Sequence, residues 1–262
     1  MKAAVIQMSS GPRKAENIAK AVDLVEKAIQ AGGKFILLPE VFNYRGLVKA
    51  PPDLKFIKEN IPGESTKPLL QLAKQHQVYI LAGSVWEEIE NSAKVYNTSI
   101  LINDAGKITG VYRKMHLFDA LVGKIPVRES SIFTAGTETV TAAAGEFFAG
   151  LTICYDLRFP ALYQTYAQAG AHILVVPAAF TKLTGQAHWE ILLRARAIEN
   201  LCYVLAPNQI GLDGRGVEAF GNSMIVSPWG EILARASADR EEIIYADLDM
   251  NLLREKRKIL RG

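Results

Sequence analysis

Two cysteines in 262 residues, Cys154 and Cys202, are too few for a disulfide framework, and in a reducing compartment both are expected as free thiols. Four scattered histidines, with no CxxC or HExxH, give no metal-ligand spacing, and no GxGxxG opens a helix after a strand. Neither a metal nor an organic cofactor is therefore expected. The glycines of Gly211-Leu212-Asp213-Gly214-Arg215-Gly216 stand between predicted strands and read as a loop rather than a phosphate cradle. No apolar run of about eighteen residues is available to span a bilayer, and MKAAVIQMSSGPRK lacks the apolar stretch of a signal peptide. A cytoplasmic protein without membrane contact is the expectation. A dominant charge is missing too: 30 Lys and Arg residues face 27 Asp and Glu, leaving +3 spread along the chain except for the terminal REKRKILRG. With no basic stripe interleaved by aromatics, no nucleic-acid partner is expected.

What the chain has is apolar material, 49% of its residues, enough for a substantial core. Apolar, β-branched runs alternate with segments of helical period. AAVIQM, KFILL and VYILAGS read as strands separated by the helices AENIAKAVDLVEKAIQAGG, closed by a glycine C-cap, and TKPLLQLAKQHQ. YNTSILIN and KITGVYR follow, joined by the turn Asn103-Asp104-Ala105-Gly106. From FFAGLTI onward the order recurs, with ALYQTYAQAG and AHWEILLRARAIEN as helices and HILVVP, CYVLAP, NSMIVS and EILARA as strands. Two such α/β halves predict a pseudo-twofold pair of sheets with helices outside. No linker divides them, so residues 1–262 are expected to form one domain. The longest irregular segment, PEVFNYRGLVKAPPDLKFIKENIPGES, is a candidate binding element.

Three polar residues each follow a predicted strand: Glu40 after KFILLP, Lys114 after KITGVYR and Cys154 after FFAGLTI. In α/β proteins the carboxyl edge of a sheet is where sites collect. Taken singly, Glu40 and Lys114 read as solvated loop charges. Together, acid, base and nucleophile types at equivalent edges of the two halves point to chemistry. Cys202, inside the apolar run LCYVLAP, reads as packing.

The segments LLPEVFN, YRKMHLFD and ICYDLRFPALY resemble the nitrilase, or carbon–nitrogen hydrolase, superfamily, and the resemblance runs over essentially the whole chain. RKMHLFD, VRES, ICYDLRFP and TGQAHWEILLRARAIEN are most similar to its Nit branch, which holds deaminated glutathione amidase and omega-amidase. The resemblance implies a four-layer αββα sandwich and a Glu40, Lys114, Cys154 triad. It also implies Glu129 as a buttress of the lysine, Phe180 and Thr184 as pocket residues, and a homodimer joined through the helix of His188 and Trp189 and the helix after the cysteine.

The residue types suit amide cleavage. A free thiol has a pKa of about 8.5, so Cys154 needs a neighbouring cation or base, with Glu40 as base and Lys114 as charge. The oxyanion formed by sulfur attack would be met by Lys114 and the Tyr155 N–H at a strand-to-helix elbow. Arg158 is either a fork for a substrate carboxylate or half of an ion pair with Asp156 or another acid. Thr184 is either a pocket residue or part of a plain loop, and Tyr44, in the long loop, is a further pocket candidate that would flank a short chain with Phe180. His116 reads as structural. The implied substrate is a small carboxylate-bearing amide, a dicarboxylate monoamide. A bulky leaving group, as in deaminated glutathione amidase, is favoured over ammonia, as in omega-amidase. A nitrilase, a ligand-binding scaffold on the same fold and a redox-sensing cysteine are the competing readings. Two departures from the Nit pattern stand out: Phe220-Gly221-Asn222-Ser223 where a YGHS-like segment is usual, and no Arg- and Pro-rich tail, which would weaken a dimer contact.

Overall fold

The computed structural model describes residues 1–48 and 51–261. Strand β1 (Lys2–Gln7) leads through helix α1 (Lys14–Gln30) to β2 (Phe35–Leu37), and helix α2 (Lys67–His76) leads to β3 (Tyr79–Leu81). Strands β4 (Val85–Glu88), β5 (Val95–Ile102) and β6 (Ile108–Arg113) follow without helices. A hairpin of β7 (Asp119–Val122) and β8 (Ile125–Arg128) precedes β9 (Thr141–Ala144) and β10 (Phe147–Leu151). Helix α3 (Pro160–Gln168) then leads to β11 (Ile173–Val175), and helix α4 (Lys182–Asn200) to β12 (Tyr203–Ala206). A second hairpin, β13 (Ile210–Leu212) and β14 (Glu218–Phe220), is followed by β15 (Met224–Val226), β16 (Ile232–Arg235), β17 (Glu242–Asp247) and helix α5 (Met250–Arg261).

The strands form two principal sheets, in the orders β17-β1-β2-β3-β5-β4, with β6 also on β5, and β16-β15-β12-β11-β10-β9. Each has a parallel trio at its centre, β1-β2-β3 in one and β10-β11-β12 in the other. Antiparallel strands flank each trio in matching places: β17 and β5 in the first sheet, β9 and β15 in the second. The pseudo-twofold expected from element order is therefore a property of the topology.

Why the parallel strands read as unbroken apolar runs is clear from their burial. Ala3, Val5, Phe35 and Leu37 pack into one cluster with Ala149, Leu151 and Leu174 of the facing sheet. Their neighbours Ala4, Ile6, Ile36 and Leu38 point the other way and pack against Ala21, Val25 and Ala28 of α1 and Leu69 and Ala73 of α2. A strand covered on both faces has no polar side to show. Helix, sheet, sheet and helix are thus stacked as the expected αββα sandwich. A Leu37→Ala change between the sheets would cost about 2–5 kcal/mol in lost transfer energy and cavity.

Several expectations need correction. Strand β4, both hairpins and the edge strands β9 and β17 carry too weak a periodicity to be read from the chain, whereas helix α5 is strongly amphipathic where its segment REKRKILRG reads only as a run of charge. Helix α4 begins at Lys182, ahead of AHWEILLRARAIEN. Trp189 is fully buried within the chain, its Nε1–H donating to the Asn222 carbonyl at 2.8 Å, so it belongs to the core and not to a subunit contact. In the segment that departs from YGHS, Asn222 takes a left-handed φ of 53° and its Oδ1 accepts from Arg235. Of the long irregular segment, Lys49 and Ala50 lie outside the described residues. Among the described residues, no helix is long and apolar enough to cross a membrane.

The edges bearing Glu40 and Cys154 are not equivalent. Glu40 follows β2, the middle strand of its trio, whereas Cys154 follows β10, the first strand of its own. Lys114 follows β6, which runs antiparallel to β5 as β5 does to β3, so its end lies on the same edge as that of β2. One half supplies acid and lysine and the other supplies the thiol.

Candidate active site

Glu40 is buried just past β2, and three donors hold it. Its Oε1 accepts from Lys114 Nζ at 2.8 Å and from Asn97 Nδ2 at 2.9 Å, and its Oε2 accepts from the Ala179 N–H at 2.8 Å. The next residue, Val41, has φ 46°, a left-handed conformation costly for a β-branched side chain, and its N–H donates to Ser84 Oγ at 2.9 Å. Gly83 makes this approach possible, since a Cβ there would clash with the Pro39 carbonyl oxygen.

Lys114, 1% exposed, bridges two carboxylates, donating to Glu40 and reaching Glu129 Oε2 at 2.9 Å. The β7–β8 hairpin brings Glu129 back beside the strand end that carries Lys114, and the Phe118 N–H donates to Glu129 Oε2 at 2.7 Å. Asn97 also fixes the lysine backbone, because the Lys114 N–H donates to its carbonyl at 2.9 Å.

Cys154 opens a short 3₁₀ segment, Cys154–Arg158, between β10 and α3. Its φ of 45° makes a strained elbow, and its N–H donates to the Pro177 carbonyl at 2.9 Å. Buried Asp156 ties the elbow down, accepting from the Ile153 N–H at 2.9 Å, the Tyr112 hydroxyl at 2.7 Å and the His116 N–H at 3.0 Å. His116, stacked on Phe159 with its Nδ1 2.7 Å from Asp156 Oδ1, touches the support of the elbow and not the thiol. The Tyr155 N–H has no carbonyl partner among the described residues, in contrast to the N–H groups on either side of it.

Electrostatics follow from burial and neighbours. Burial pushes the Cys154 thiol well above its ordinary pKa, the nearby Glu40 carboxylate adds to this, and Lys114 only partly opposes it. Burial would also raise Glu40, but the charge and hydrogen bond of Lys114, with bonds from Cys154 and Ala179, hold it below the usual value. Burial disfavours the Lys114 ammonium, yet Glu129, Glu40 and Cys154 together raise it well above the ordinary lysine value. Burial raises Glu129 against the pull of Lys114, and repulsion from Glu40 adds to the rise. At neutral pH the arrangement is a neutral thiol beside an ionised acid and a cationic lysine.

Two cavities meet at Cys154. The larger, of about 110 Å³, is bounded by Glu40, Tyr44, Arg45, Trp86, Glu129 and Arg215 among others. The smaller, of about 20 Å³, is bounded by Tyr155, Arg158, Phe180 and Thr184 with Phe118. Arg158 makes no ion pair with Asp156 or any other acid among the described residues; its guanidinium lies 3.3 Å from His188 Nδ1 and 5.2 Å from the centre of the Phe180 ring. Thr184 Oγ1 lies 2.9 Å from Thr181 Oγ1 in the first turn of α4. Tyr44 packs edge-on against Trp86. Phe180 and Tyr44 therefore border different compartments, Tyr44 the larger and Phe180 the smaller, and do not face each other across one chain, although Ala179 and Thr181 of the β11–α4 link border both. Cys202 is buried, its sulfur 3.1 Å from the Ala171 carbonyl.

Sequence reasoning missed Asn97, Arg45, Asp213 and Arg215. Asn97 carried a signal, a polar residue inside the apolar strand YNTSILI; the others sit on loops whose placement local pattern does not determine. The 211–216 glycines do form the turn of a hairpin, but the turn brings Asp213 and Arg215 to the larger cavity. Among the described residues, no group of three or more His, Cys, Asp or Glu side chains is placed to hold a metal ion.

A family model described as carbon–nitrogen hydrolase matches residues 2–258. The omega-amidase NIT2 of Homo sapiens is 40% identical over 256 residues, covering 97% of this chain and 91% of that one. The deaminated glutathione amidase of Mus musculus is 38% identical over 264 residues, covering 98% and 80%. Among solved structures, the NitFhit protein of C. elegans superposes with a TM-score of 0.91 at 35% identity over 99% of this chain, which spans 63% of that longer protein. The Nit3 protein of Saccharomyces cerevisiae, from the nitrilase superfamily, superposes at 0.87 with 32% identity over 99% of this chain and 94% of its own.

Proposed function

The chain belongs to the carbon–nitrogen hydrolase family, and on that premise we propose that it is an amidase working through a thioester on Cys154, with residues 1–262 as one catalytic domain. The observation that carries this is the buried Glu40–Lys114–Glu129 cluster set against a thiol at a strained elbow. Because the thiol is neutral at rest, it is activated in the act of attack: Glu40 takes the S–H proton while sulfur bonds to the amide carbon. The carbonyl oxygen becomes an oxyanion, met by Lys114 Nζ and the Tyr155 N–H; one such donor is worth about 2.7–4 kcal/mol. Glu40 returns its proton to nitrogen as the C–N bond breaks, and the amine leaves. Water then attacks the thioester and Glu40 takes its proton; as the C–S bond breaks Glu40 returns that proton to sulfur, which releases the carboxylic acid and restores both the thiol and the ionised Glu40. Glu129 holds Lys114 in place by accepting its second hydrogen bond.

The acyl half is read as carboxylate-bearing, held by Arg158 with Phe180 and Thr184 beside the elbow. Identity separates the omega-amidase and the deaminated glutathione amidase by too little to choose a leaving group. The larger cavity on the Glu40 side has room for an amine bigger than ammonia, which keeps the deaminated glutathione amidase reading ahead. A cytoplasmic homodimer completes the reading; exposed Ile191 and Ile198 on α4, with exposed Trp229 adjoining Gly230, against which Ile198 packs, supply an apolar face for a second copy. Light scattering in solution tests that part.

A panel of carboxylate-bearing amides, neutral amides and nitriles, with products identified, tests the activity. Release of amine from the carboxylate-bearing amides, lost in Cys154→Ala and retained in Cys202→Ala, is expected. Turnover of nitriles alone, or turnover surviving in Cys154→Ala, would overturn the proposal.

A further inference from the structure

Arg45 is a buried cation that the chemistry above does not use. It is 6% exposed, faces the larger cavity, and among the described residues its side chain makes one hydrogen bond, Nη1 to the Ile210 carbonyl at 3.0 Å. The backbone on both sides is fixed: the Arg45 N–H donates to the Gly11 carbonyl at 3.0 Å, and the Arg45 carbonyl accepts from the Gly214 N–H at 2.9 Å. The second bond joins the 41–48 loop to the tip of the β13–β14 hairpin, so loop and hairpin form one wall.

That wall carries an unbalanced charge. Asp213 does not pair with Arg45, because its own turn consumes it: Oδ1 accepts from the N–H groups of Arg215 at 2.8 Å and Val217 at 2.9 Å, and Oδ2 accepts from Arg215 Nε at 2.9 Å and Nη2 at 2.6 Å. Two guanidinium groups and one carboxylate leave a net positive charge. Burial lowers the Arg45 pKa to about 10, Asp213 and more weakly Glu40 offset it and Arg215 adds to it, so Arg45 is still cationic at neutral pH. A buried guanidinium with unused donors is costly unless an anion completes it.

Which half of a substrate reaches this wall follows from the proton path. Glu40 and Glu129 border the larger cavity and are absent from the border of the smaller one. The leaving nitrogen must accept its proton from Glu40, so the amine half lies in the larger cavity and the acyl half beside Tyr155 and Arg158. We infer that Arg45 and Arg215 are specificity-determining residues, a pair of guanidinium groups that together hold a carboxylate on the leaving amine. The inference rests on the amidase reading and deepens it.

The test uses five amides sharing one 2-oxoglutaryl acyl half, with ammonia, glycine, glycinamide, glycylglycine or glycylglycinamide as leaving amine. Wild type should favour the carboxylate over its capped partner in kcat/KM by about tenfold or more in at least one of the two pairs, as a charge-assisted hydrogen bond allows. That ratio should fall toward one in Arg45→Met and in Arg215→Gln. The second variant, at a more exposed side chain, keeps the test informative if the first does not fold. Ratios near one in wild type for both lengths, or ratios unchanged in both variants, would overturn the subsite while leaving the amidase reading intact. No turnover of any of the five would overturn both.

Discussion

Lys114 Nζ and Glu40 Oε1 share a 2.8 Å hydrogen bond although 74 positions separate them in the chain, and both side chains are shut away from solvent. The bond sets the charge state of everything around it. Lys114 keeps Glu40 ionised where burial would neutralise it, and burial, reinforced by the ionised Glu40, keeps the Cys154 thiol protonated.

The pH dependence follows from these directions. Glu40, held below the ordinary glutamate pKa of about 4.3, stays ionised through the neutral range. Cys154, pushed up, contributes no ionisation near the ordinary thiol value of about 8.5. We expect kcat/KM to be flat from about pH 6 to 9, in contrast to the rise a thiolate nucleophile would give near its ordinary pKa. A rising limb that vanishes in Cys154→Ser would contradict this. For stability the signs are separate. The lowered Glu40 contributes above its unfolded pKa and loses that contribution as pH falls through its folded one. The raised Lys114 contributes below its unfolded value and loses it only as pH rises through its folded one. Glu129, raised, subtracts as pH climbs past its unfolded value.

Lys114→Met removes the cation and leaves Glu40 and Glu129 buried on either side of an apolar chain. Their mutual repulsion and burial then raise both pKa values, so the base is partly neutral at pH 7. Single-turnover kinetics should show acylation slowed by about 2.7–4 kcal/mol in barrier, with the acid limb moved toward neutrality. An unshifted limb would show that Lys114 does not govern Glu40.

How much of this was legible in the chain differs between the parts. The parallel strands and their helices were readable because double-sided burial makes them apolar throughout, as in Ile173–Val175, and amphipathic turns such as Lys14–Gln30 announce themselves. Glu40, Lys114 and Cys154 were readable as polar residues at strand ends, and family resemblance added Glu129. The cavity walls were not. Whether Tyr44 and Phe180 share a compartment depends on how two loops approach one elbow. The edge positions of Arg45 and Arg215 depend on the contact between Gly214 and the Arg45 backbone, 169 positions apart, which no local pattern encodes.

Arg158 offers its planar fork to the smaller cavity without an acid to occupy it among the described residues. Replacing it by Lys keeps the charge and loses the bidentate geometry. For amides with a carboxylate on the acyl half, kcat/KM should fall by about 1.5–3 kcal/mol in transition-state stabilisation, with neutral amides nearly unaffected. Equal losses for both classes would mean that Arg158 supports the elbow and not the substrate.

The central claim is the covalent bond to Cys154, and acid-quenched mass spectrometry of the enzyme during turnover tests it most directly. Digestion should give a peptide carrying Cys154 heavier by the acyl half of the substrate, decaying as substrate runs out, with the Cys202 peptide unchanged. Steady turnover with rate-limiting deacylation, yet with Cys154 unmodified or the acyl group on Cys202, would contradict the account.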